Sequence, residues 1–414
     1  MTVPRPVLIL KTGRYPVHHG GLGIIRSLGQ LGIPVYTIAE DHLTPAGTSK
    51  YVAGSFVWNA GDLTRPQMLE ELARIGRTLR GTAVLIPTDD LGAILIAEES
   101  TTLRQWFVFP DIVARMPRNL ANKQMLYQLC RRMGVPCPNT LVPTSLSDVN
   151  NFAGIARFPL VIKPAAPWIA PKLTVSIVHT ERELLDVWHR TQNSTKPNLL
   201  IQEYIPEGDD WFFHGYCNGD SDCLAGFTGT KLRSFPPRTG MTTLGRSVTN
   251  DALRHQAEIF LKAISYSGIM DLDYRFDKRD GQYKLLDFNP RIGAQFRLFE
   301  DHNGLDVVRA LYRDLTGQVV QRSRQVDGRV FVVEPYDLGA SVNYFWRGEL
   351  SAYAWLRSFK GRREFAWFSW DDPLPPLMAL ARLAVQVAGK MIRIGRFKSA
   401  SVGQTPGVDQ EQIG

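Results

Sequence analysis

The chain has 414 residues, 44% of them hydrophobic and 21% charged, which builds a large folded protein of about two to four domains and excludes a disordered one. No apolar run reaches the length of a membrane span, and residues 1–6 lead into a strand without a secretory pattern, so a cytoplasmic protein is expected. The formal net charge of +8 favours anionic ligands, while no helix-turn-helix or aromatic-interleaved basic motif points to nucleic acid.

Residues 6–11 (PVLILK) read as a short, fully apolar strand. Gly20-Gly21-Leu22-Gly23 then opens a helix that stops by Gly32, and residues 35–38 form a second strand. A βαβ unit with a glycine-rich first turn is the expected start of a doubly wound parallel sheet. The dinucleotide fingerprint is incomplete, because Arg26 stands three residues after Gly23 and no acid sits at the ribose position. Tight-turn and capping glycines explain the pattern as well as a ligand does. A later strand, 83–87, delivers Thr88-Asp89-Asp90 at its carboxyl end, where open α/β sheets bind ligands; helix capping is the competing role for both acids.

A different organisation begins near Pro110. Asn122-Lys123 opens an amphipathic helix, with Met125, Leu126, Leu129 and Met133 at helical spacing, that stops at Gly134. Residues 158–164 (FPLVIKP) form an apolar strand, and the charge of Lys163 on it requires an anionic partner, either a nucleotide phosphate or a structural carboxylate. Residues 199–206 (LLIQEYIP) are a strand broken by proline and followed by Glu207-Gly208-Asp209-Asp210, where exposed backbone beside an acid suits an adenine and ribose clamp. The four cysteines (Cys130, Cys137, Cys217, Cys223) show neither CxxC spacing nor a nearby histidine pattern, so free thiols are expected rather than zinc ligands or disulfides.

The richest stretch is 271–291. Asp280-Gly281 is a strong hairpin signal between DLDYRFD (271–277) and YKLLDFNPR (283–291). Asp287 and Asn289 are two apart on a strand, so both side chains leave one face, and the neighbouring strand adds Asp273. Two carboxylates and an amide are hard oxygen ligands of the kind that hold Mg²⁺ beside nucleotide phosphates. Leu285, Leu286 and Phe288 mark the strand as core, where a carboxylate without a partner is rare.

In this order and spacing, the elements from about residue 5 to about residue 320 resemble the ATP-grasp superfamily, in particular its carboxylate–amine ligases of the D-alanine–D-alanine ligase and D-aspartate ligase kind. The resemblance implies an α/β protein: a doubly wound, Rossmann-like pre-ATP-grasp domain (1–112), then an ATP-grasp fold of two α+β subdomains, a small lid (113–200) and a metal- and substrate-binding unit (201–320). It implies that Lys123 and Lys163 hold ATP phosphates, that Glu203, Tyr204 and Ile205 read adenine, and that Asp210 binds the ribose. Asp273, Asp287 and Asn289 would hold one or two Mg²⁺ ions, with Mn²⁺ as an alternative. Asp287 stands where glutamate is usual, and its side chain, shorter by a methylene, bridges two ions less readily. Arg291, with Lys163 and Arg297, would serve the carboxylate substrate and its acyl phosphate; Arg275 is a weaker candidate and a surface ion pair is the competing role for Arg297. Residues 231–240, including Lys231 and Arg233, would form a basic loop over the phosphates. The implied reaction joins a carboxylate to an amine, an amino acid or small peptide, with release of ADP and phosphate. A nicotinamide-dependent oxidoreductase and a catalytically silent nucleotide-binding protein are the alternatives.

Past Gly317 the resemblance fades. An aromatic-rich extension (321–398) carries Phe345, Trp346, Trp355, Phe365, Trp367, Phe368 and Trp370 before Pro373 and Pro376 introduce a helix over 377–397. Arg382, Lys390, Arg393 and Arg396 share one face of it, opposite Leu380, Ala384, Val387, Met391 and Ile394. Packing on the catalytic body and peripheral contact with a membrane surface both suit such a helix. Residues 399–414 are expected to be disordered, and a homodimer is an open assembly.

Overall fold

The computed structural model describes residues 4–15, 17–58, 63–79, 81–166, 168, 175–191, 198–206, 208–237 and 240–385. Its first unit is a five-stranded parallel sheet, β1 (Val7–Leu10), β2 (Val35–Ala39), β3 (Val52–Val57), β4 (Ala83–Pro87) and β5 (Phe107–Val108), in the order β3-β2-β1-β4-β5. All four residues of β1 are buried, as expected for a central parallel strand covered on both faces. The glycines of the first turn serve packing. A Cβ on Gly20 would lie 3.2 Å from the Ala294 Cα, and one on Gly23 would lie 2.8 Å from the Phe296 ring, so small residues let the helix His19–Gly29 approach the 293–297 loop.

The second unit is a four-stranded antiparallel sheet of β6 (Thr140–Leu141), β7 (Leu160–Pro164), β8 (Ser176–Val178) and β9 (Leu199–Glu203), ordered β6-β9-β7-β8. Leu160, Ile162, Leu199 and Ile201 pack on Val149, Leu184 and Trp188 of the helices Leu146–Ile155 and Glu181–Thr191. Alternation then sends Lys163 and Gln202 to the opposite face. Because β9 belongs to this sheet, the boundary drawn at residue 200 falls inside a strand, and the change of unit comes after Glu203.

The third unit is a seven-stranded sheet. Its members are β10 (Asp210–Cys217), β11 (Cys223–Phe235), β12 (Met241–Ser247), β13 (Gly268–Asp277), β14 (Gln282–Asn289), β15 (Val330–Val332) and β16 (Arg363–Phe365), ordered β14-β13-β10-β11-β12-β15-β16. One face buries Phe213, Met270, Leu272, Tyr274, Leu285 and Phe288 against the helix Asp251–Ala263. On the other face Phe212, Tyr216 and Phe331 join a core shared with β1 and the helix His19–Gly29.

The carboxyl-terminal segment corrects the expectation of a separate extension. β15 and β16 complete the large sheet, and Ala366, Trp367 and Ala379 sit in the shared core. Arg26 and Asp372, both almost fully buried, form an ion pair at 3.0 Å, and Asp372 also accepts from Ser49 Oγ (2.7 Å) and the Lys50 amide (2.9 Å). Residues 374–385 are helical, and Arg382 binds Asp41 and the Leu43 carbonyl, as a helix packed on its own body does. Lys390, Arg393 and Arg396 lie outside the described residues, as does the tail from 399. No helix among the described residues is long and apolar enough to cross a membrane. Cys217 and Cys223 are joined as a disulfide where β10 turns into β11, against the expectation of free thiols, while Cys130 and Cys137 are free.

Candidate active site

The β13–β14 hairpin turns at Asp280-Gly281, with Gly281 at φ 71°, and sets its polar residues in facing pairs: Asp271 opposite Asn289 and Asp273 opposite Asp287. Side chains of period two put all four on one face. The Asn289 Nδ2 donates to the Asp271 carbonyl (3.2 Å), which leaves its Oδ1 free to face the cleft. A bulge after Asp273 leaves Leu286 unpaired, and its carbonyl is taken by Tyr127 Oη (2.5 Å) and Lys163 Nζ (3.4 Å).

Three lysines converge on these carboxylates from three elements. Lys123, first residue of the helix Lys123–Met133 and capped by Asn122, binds Asp287. Lys163 on β7 lies 3.8 Å from Asp287 and donates to Tyr127 Oη (3.0 Å), and Lys231 on β11 lies 3.7 Å from Asp273. Burial resists the charges of Lys163 and Lys231. It lowers the Lys163 pKa, with Asp287 and Asp273 opposing, whereas the four carboxylates Asp273, Asp210, Asp271 and Asp287 outweigh it at Lys231 and hold that lysine charged. Burial pushes Asp273 up to about 6, against Lys231 and aided by Asp271 and Asp287. At Asp287 the three lysines overcome burial and keep the carboxyl below its ordinary value.

Among the described residues no group of three or more His, Cys, Asp and Glu side chains forms a metal cluster. The donor set of Asp273, Asp287 and the free oxygen of Asn289 nevertheless fits Mg²⁺, which takes one or two carboxylates and completes its shell with phosphates and water.

At the hinge, Glu203 closes β9, its amide bonded to the Asn139 carbonyl (2.9 Å) and its Oε1 near Arg279 (3.3 Å) and Lys284 (3.5 Å). Asp277 binds the same two cations at 2.5 and 2.6 Å. Tyr204 and Ile205 follow, and Arg275 bridges the Ile205 carbonyl (2.7 Å) and Asp210 (2.7 Å). Arg275 is therefore committed to the hinge and not to a carboxylate substrate. A Cβ on Gly208 would lie 2.2 Å from the Phe276 carbonyl, so only glycine lets the hinge run this close to β13.

Arg291 enters the cluster beside Asp271, with Nη1 3.1 Å from its Oδ2 and Nε 3.5 Å from Asp90 of the amino-terminal unit. His214 of β10 faces Asp271 in register, Nε2 to Oδ1 3.1 Å, outside good hydrogen-bond alignment. Burial opposes the charge of Asp271, but His214, Arg291 and Lys231 hold its pKa down to about 2. A Cβ on Gly293 would lie 2.2 Å from the His214 ring, so this glycine lets the chain pass over the pair.

Two expected residues are not brought here. Residues 231–235 are part of β11 and not a loop, and Arg233, past an irregularity in the strand, is buried in a two-point ion pair with Asp337 (2.9 and 2.8 Å). Arg297 turns to Glu364 at 2.6 Å, behind the helix His19–Gly29. Four others are present that sequence reasoning did not assign: Asp271, His214, Tyr127 and Asp90 as a partner of Arg291. Asp271 was within reach, two before Asp273, and Tyr127 lies four after Lys123 on one helix face. Asp89 is the cap, accepting from Gly92 N (2.7 Å) as well as from the Thr12 amide (2.7 Å).

No protein-family model matches the chain. It is similar to D-aspartate ligase of Enterococcus faecium, at 26% identity over 315 residues, covering 70% of this chain and 73% of that protein. Among solved structures it resembles the L-amino acid ligase of Bacillus licheniformis, with a TM-score of 0.58 at 14% identity over 78% of each chain. It likewise resembles the biotin carboxylase domain of Hydrogenobacter thermophilus 2-oxoglutarate carboxylase, solved with MgADP and bicarbonate, with a TM-score of 0.59 at 15% identity over 78% of this chain and 72% of that one. The structural likenesses speak for the fold. Together the sequence relative and the structural neighbours support an ATP-grasp carboxylate–amine ligase.

Proposed function

We propose that the protein activates a carboxylate with ATP as an acyl phosphate and passes the acyl group to an amine, releasing ADP and phosphate. The observation that carries this reading is the meeting of Lys123, Lys163 and Lys231 on the Asp273–Asp287 pair. The lysines neutralise the carboxylates and would turn to the phosphates of a bound nucleotide. Asp273, Asp287 and Asn289 would hold Mg²⁺, or Mn²⁺ on the same donors, and the ion would supply positive charge to the transferred phosphoryl group. Glu203, Tyr204 and Ile205 form the adenine edge, and Asp210, held by Arg275, faces the ribose. The four-stranded unit that carries Lys163 acts as the lid, keeping water from an acyl phosphate.

Arg291 holds the carboxylate for attack on the γ-phosphorus. One carboxylate oxygen bonds to phosphorus as the bond to the ADP oxygen breaks. The amine nitrogen then bonds to the acyl carbon, phosphate leaves and the nitrogen loses a proton. An amino acid is the first substrate class to test, and D-aspartate heads the panel because the E. faecium relative is named for it. Hydroxylamine stands in for the amine and traps an acyl phosphate as a hydroxamate. ADP release and hydroxamate formation that depend on a carboxylate support the reading, and ADP release without hydroxamate from any carboxylate refutes the acyl-phosphate step.

A further inference from the structure

At the amino ends of the first sheet's strands, a cleft of about 640 Å³ lies between the start of β1, the end of the helix His19–Gly29 and the helix Val307–Leu315. β1, four residues or about 13 Å at the rise of a parallel strand, separates it from the crevice at the carboxyl ends. Arg5, Arg309 and Arg313 line the cleft together with the apolar Leu28, Leu31 and Ile33, and no acid among the described residues does. Neither Arg5 nor Arg313 forms an ion pair among the described residues; Arg5 reaches the Leu315 carbonyl, at 3.5 Å. The nearby acids are engaged elsewhere. Asp306 caps its helix, Oδ1 accepting from the amides of Val308 and Arg309 (both 2.8 Å) and Oδ2 from Ser27 Oγ (2.5 Å), while Asp314 accepts from Tyr216 Oη (2.5 Å). Arg309 donates to the carbonyls of Ser27 (3.1 Å) and Gly304 (2.5 Å), and its Nε stands 3.7 Å from Asp306. A carbonyl accepts a hydrogen bond without cancelling the charge, so a surplus of positive charge sits in a partly buried cleft.

We propose that this cleft binds a small molecule in which a phosphate group is joined to an apolar body, in chemical class an aryl or isoprenyl phosphate. The site goes beyond the ligase reading and does not depend on it. A guanidinium meets a phosphate through two parallel N–H···O bonds, and a phosphate monoester, carrying about −1.5 to −2 at pH 7, answers two arginine charges where a carboxylate answers one. The apolar residues require the rest of the ligand. Leu31 is half exposed (51%) beside the arginines, and an apolar body laid on it and on Leu28 and Ile33 removes that surface from water. The volume is that of a site for a whole small molecule, about 300 to 1,000 Å³, and a bare phosphate would leave most of it to water.

Phenyl phosphate and isopentenyl phosphate are the probes, one for a ring and one for a chain, titrated by calorimetry into the full-length protein in saturating MgADP so that the nucleotide site is filled. Saturable binding of at least one ester is expected, at least about tenfold tighter than that of inorganic phosphate or of benzoate, each of which lacks half of the recognised chemistry. The double variant Arg5→Gln, Arg313→Gln should weaken that ester at least about tenfold. Leu31→Glu, a change at a half-exposed side chain that the fold tolerates, puts an acid into the cleft and should weaken it by a comparable factor, which decides the matter even where the double variant fails to fold. Arg291→Gln, at the other end of the sheet, should bind the ester as the parent does. Absence of saturable binding overturns the proposal, as does inorganic phosphate or benzoate bound as tightly as both esters, or binding that survives Leu31→Glu and is lost with Arg291→Gln. None of these outcomes bears on the ligase reading, which ADP release and hydroxamate formation test separately.

Discussion

Asp287 pairs with Lys123 and Lys163 and stands opposite Asp273, and in the proposed function it would also face the metal when nucleotide binds. Asp287→Asn keeps the shape and removes one ligand charge, so turnover should fall by orders of magnitude, the loss expected of a phosphoryl-transfer site that cannot hold its ion. Asp287→Glu should retain substantial activity. ADP release at limiting Mg²⁺ is the measurement, and parental rates from the Asn variant would remove this pair from the metal role. Lys163→Met leaves an apolar stem on a strand whose neighbours are apolar. The variant should fold, bind nucleotide at least about tenfold more weakly in equilibrium titration, and show no turnover. That Asp273, Asp287 and Asn289 share one face was legible, because the spacing of two on an apolar strand and the Asp280-Gly281 turn set it. The pairings of His214 with Asp271 and of Asp90 with Arg291 were not, since each joins distant elements, although Asp90 itself was placed at the ligand-binding end of its strand.

At the scale of elements, the hairpin was readable from Asp280-Gly281 and the alternation around it, whereas β11 was mistaken from Phe235-Pro236-Pro237, a real turn whose approach is nonetheless strand. The Arg233–Asp337 pair that fixes that strand joins residues 104 apart, a partnership no local pattern announces. The same hairpin holds the hinge through Asp277, fully buried beneath Arg279 and Lys284. The Arg279 hydrogen bond, with help from Lys284 and against burial, keeps the Asp277 carboxyl well below the usual carboxylate range. A carboxyl depressed in the folded state stabilises it at pH above the unfolded value of about 3.9, and that contribution is lost as pH falls through the folded value. Asp277→Asn should therefore destabilise the protein by about 3 kcal/mol at pH 7, and the gap in Tm from the parent should shrink as pH falls below about 4. A gap that stays constant down to pH 3 would mean that packing, not charge, accounts for the loss.

On the scale of the whole molecule, the first and third units are bound by one apolar core and by Asp372, which reaches back to Arg26, Ser49 and Lys50. Asp372→Ala leaves the Arg26 guanidinium buried without its acid and should cost about 3 to 5 kcal/mol in denaturant unfolding. Replacing both partners with apolar residues of similar volume should recover most of it, and a double variant as unstable as Asp372→Ala would refute the account. The amphipathic carboxyl-terminal helix was legible as far as Arg382 and its packing, and the layered α/β order was legible throughout. That the aromatic segment completes the large sheet was not, because three-residue strands such as Val330–Val332 and Arg363–Phe365 carry too little pattern to name their neighbours.

The reach of Asp372 has a consequence for how the chain is made. The amino-terminal helix is synthesised early, but the acid that neutralises Arg26 follows 346 residues later, and Trp367 and Ala379 of the shared core are translated just as late. An amino-terminal unit emerging from the ribosome holds an unpaired arginine over an unfilled apolar surface until almost the whole described chain is out. Folding of that unit should then be a late event that waits on the synthesis of residues 366–379. A ribosome-stalled chain ending at residue 320 should be cut readily by protease within residues 1–112, and one ending at residue 414 with a linker to clear the exit tunnel should resist; equal resistance in both would show that the amino-terminal sheet closes without its distant partner.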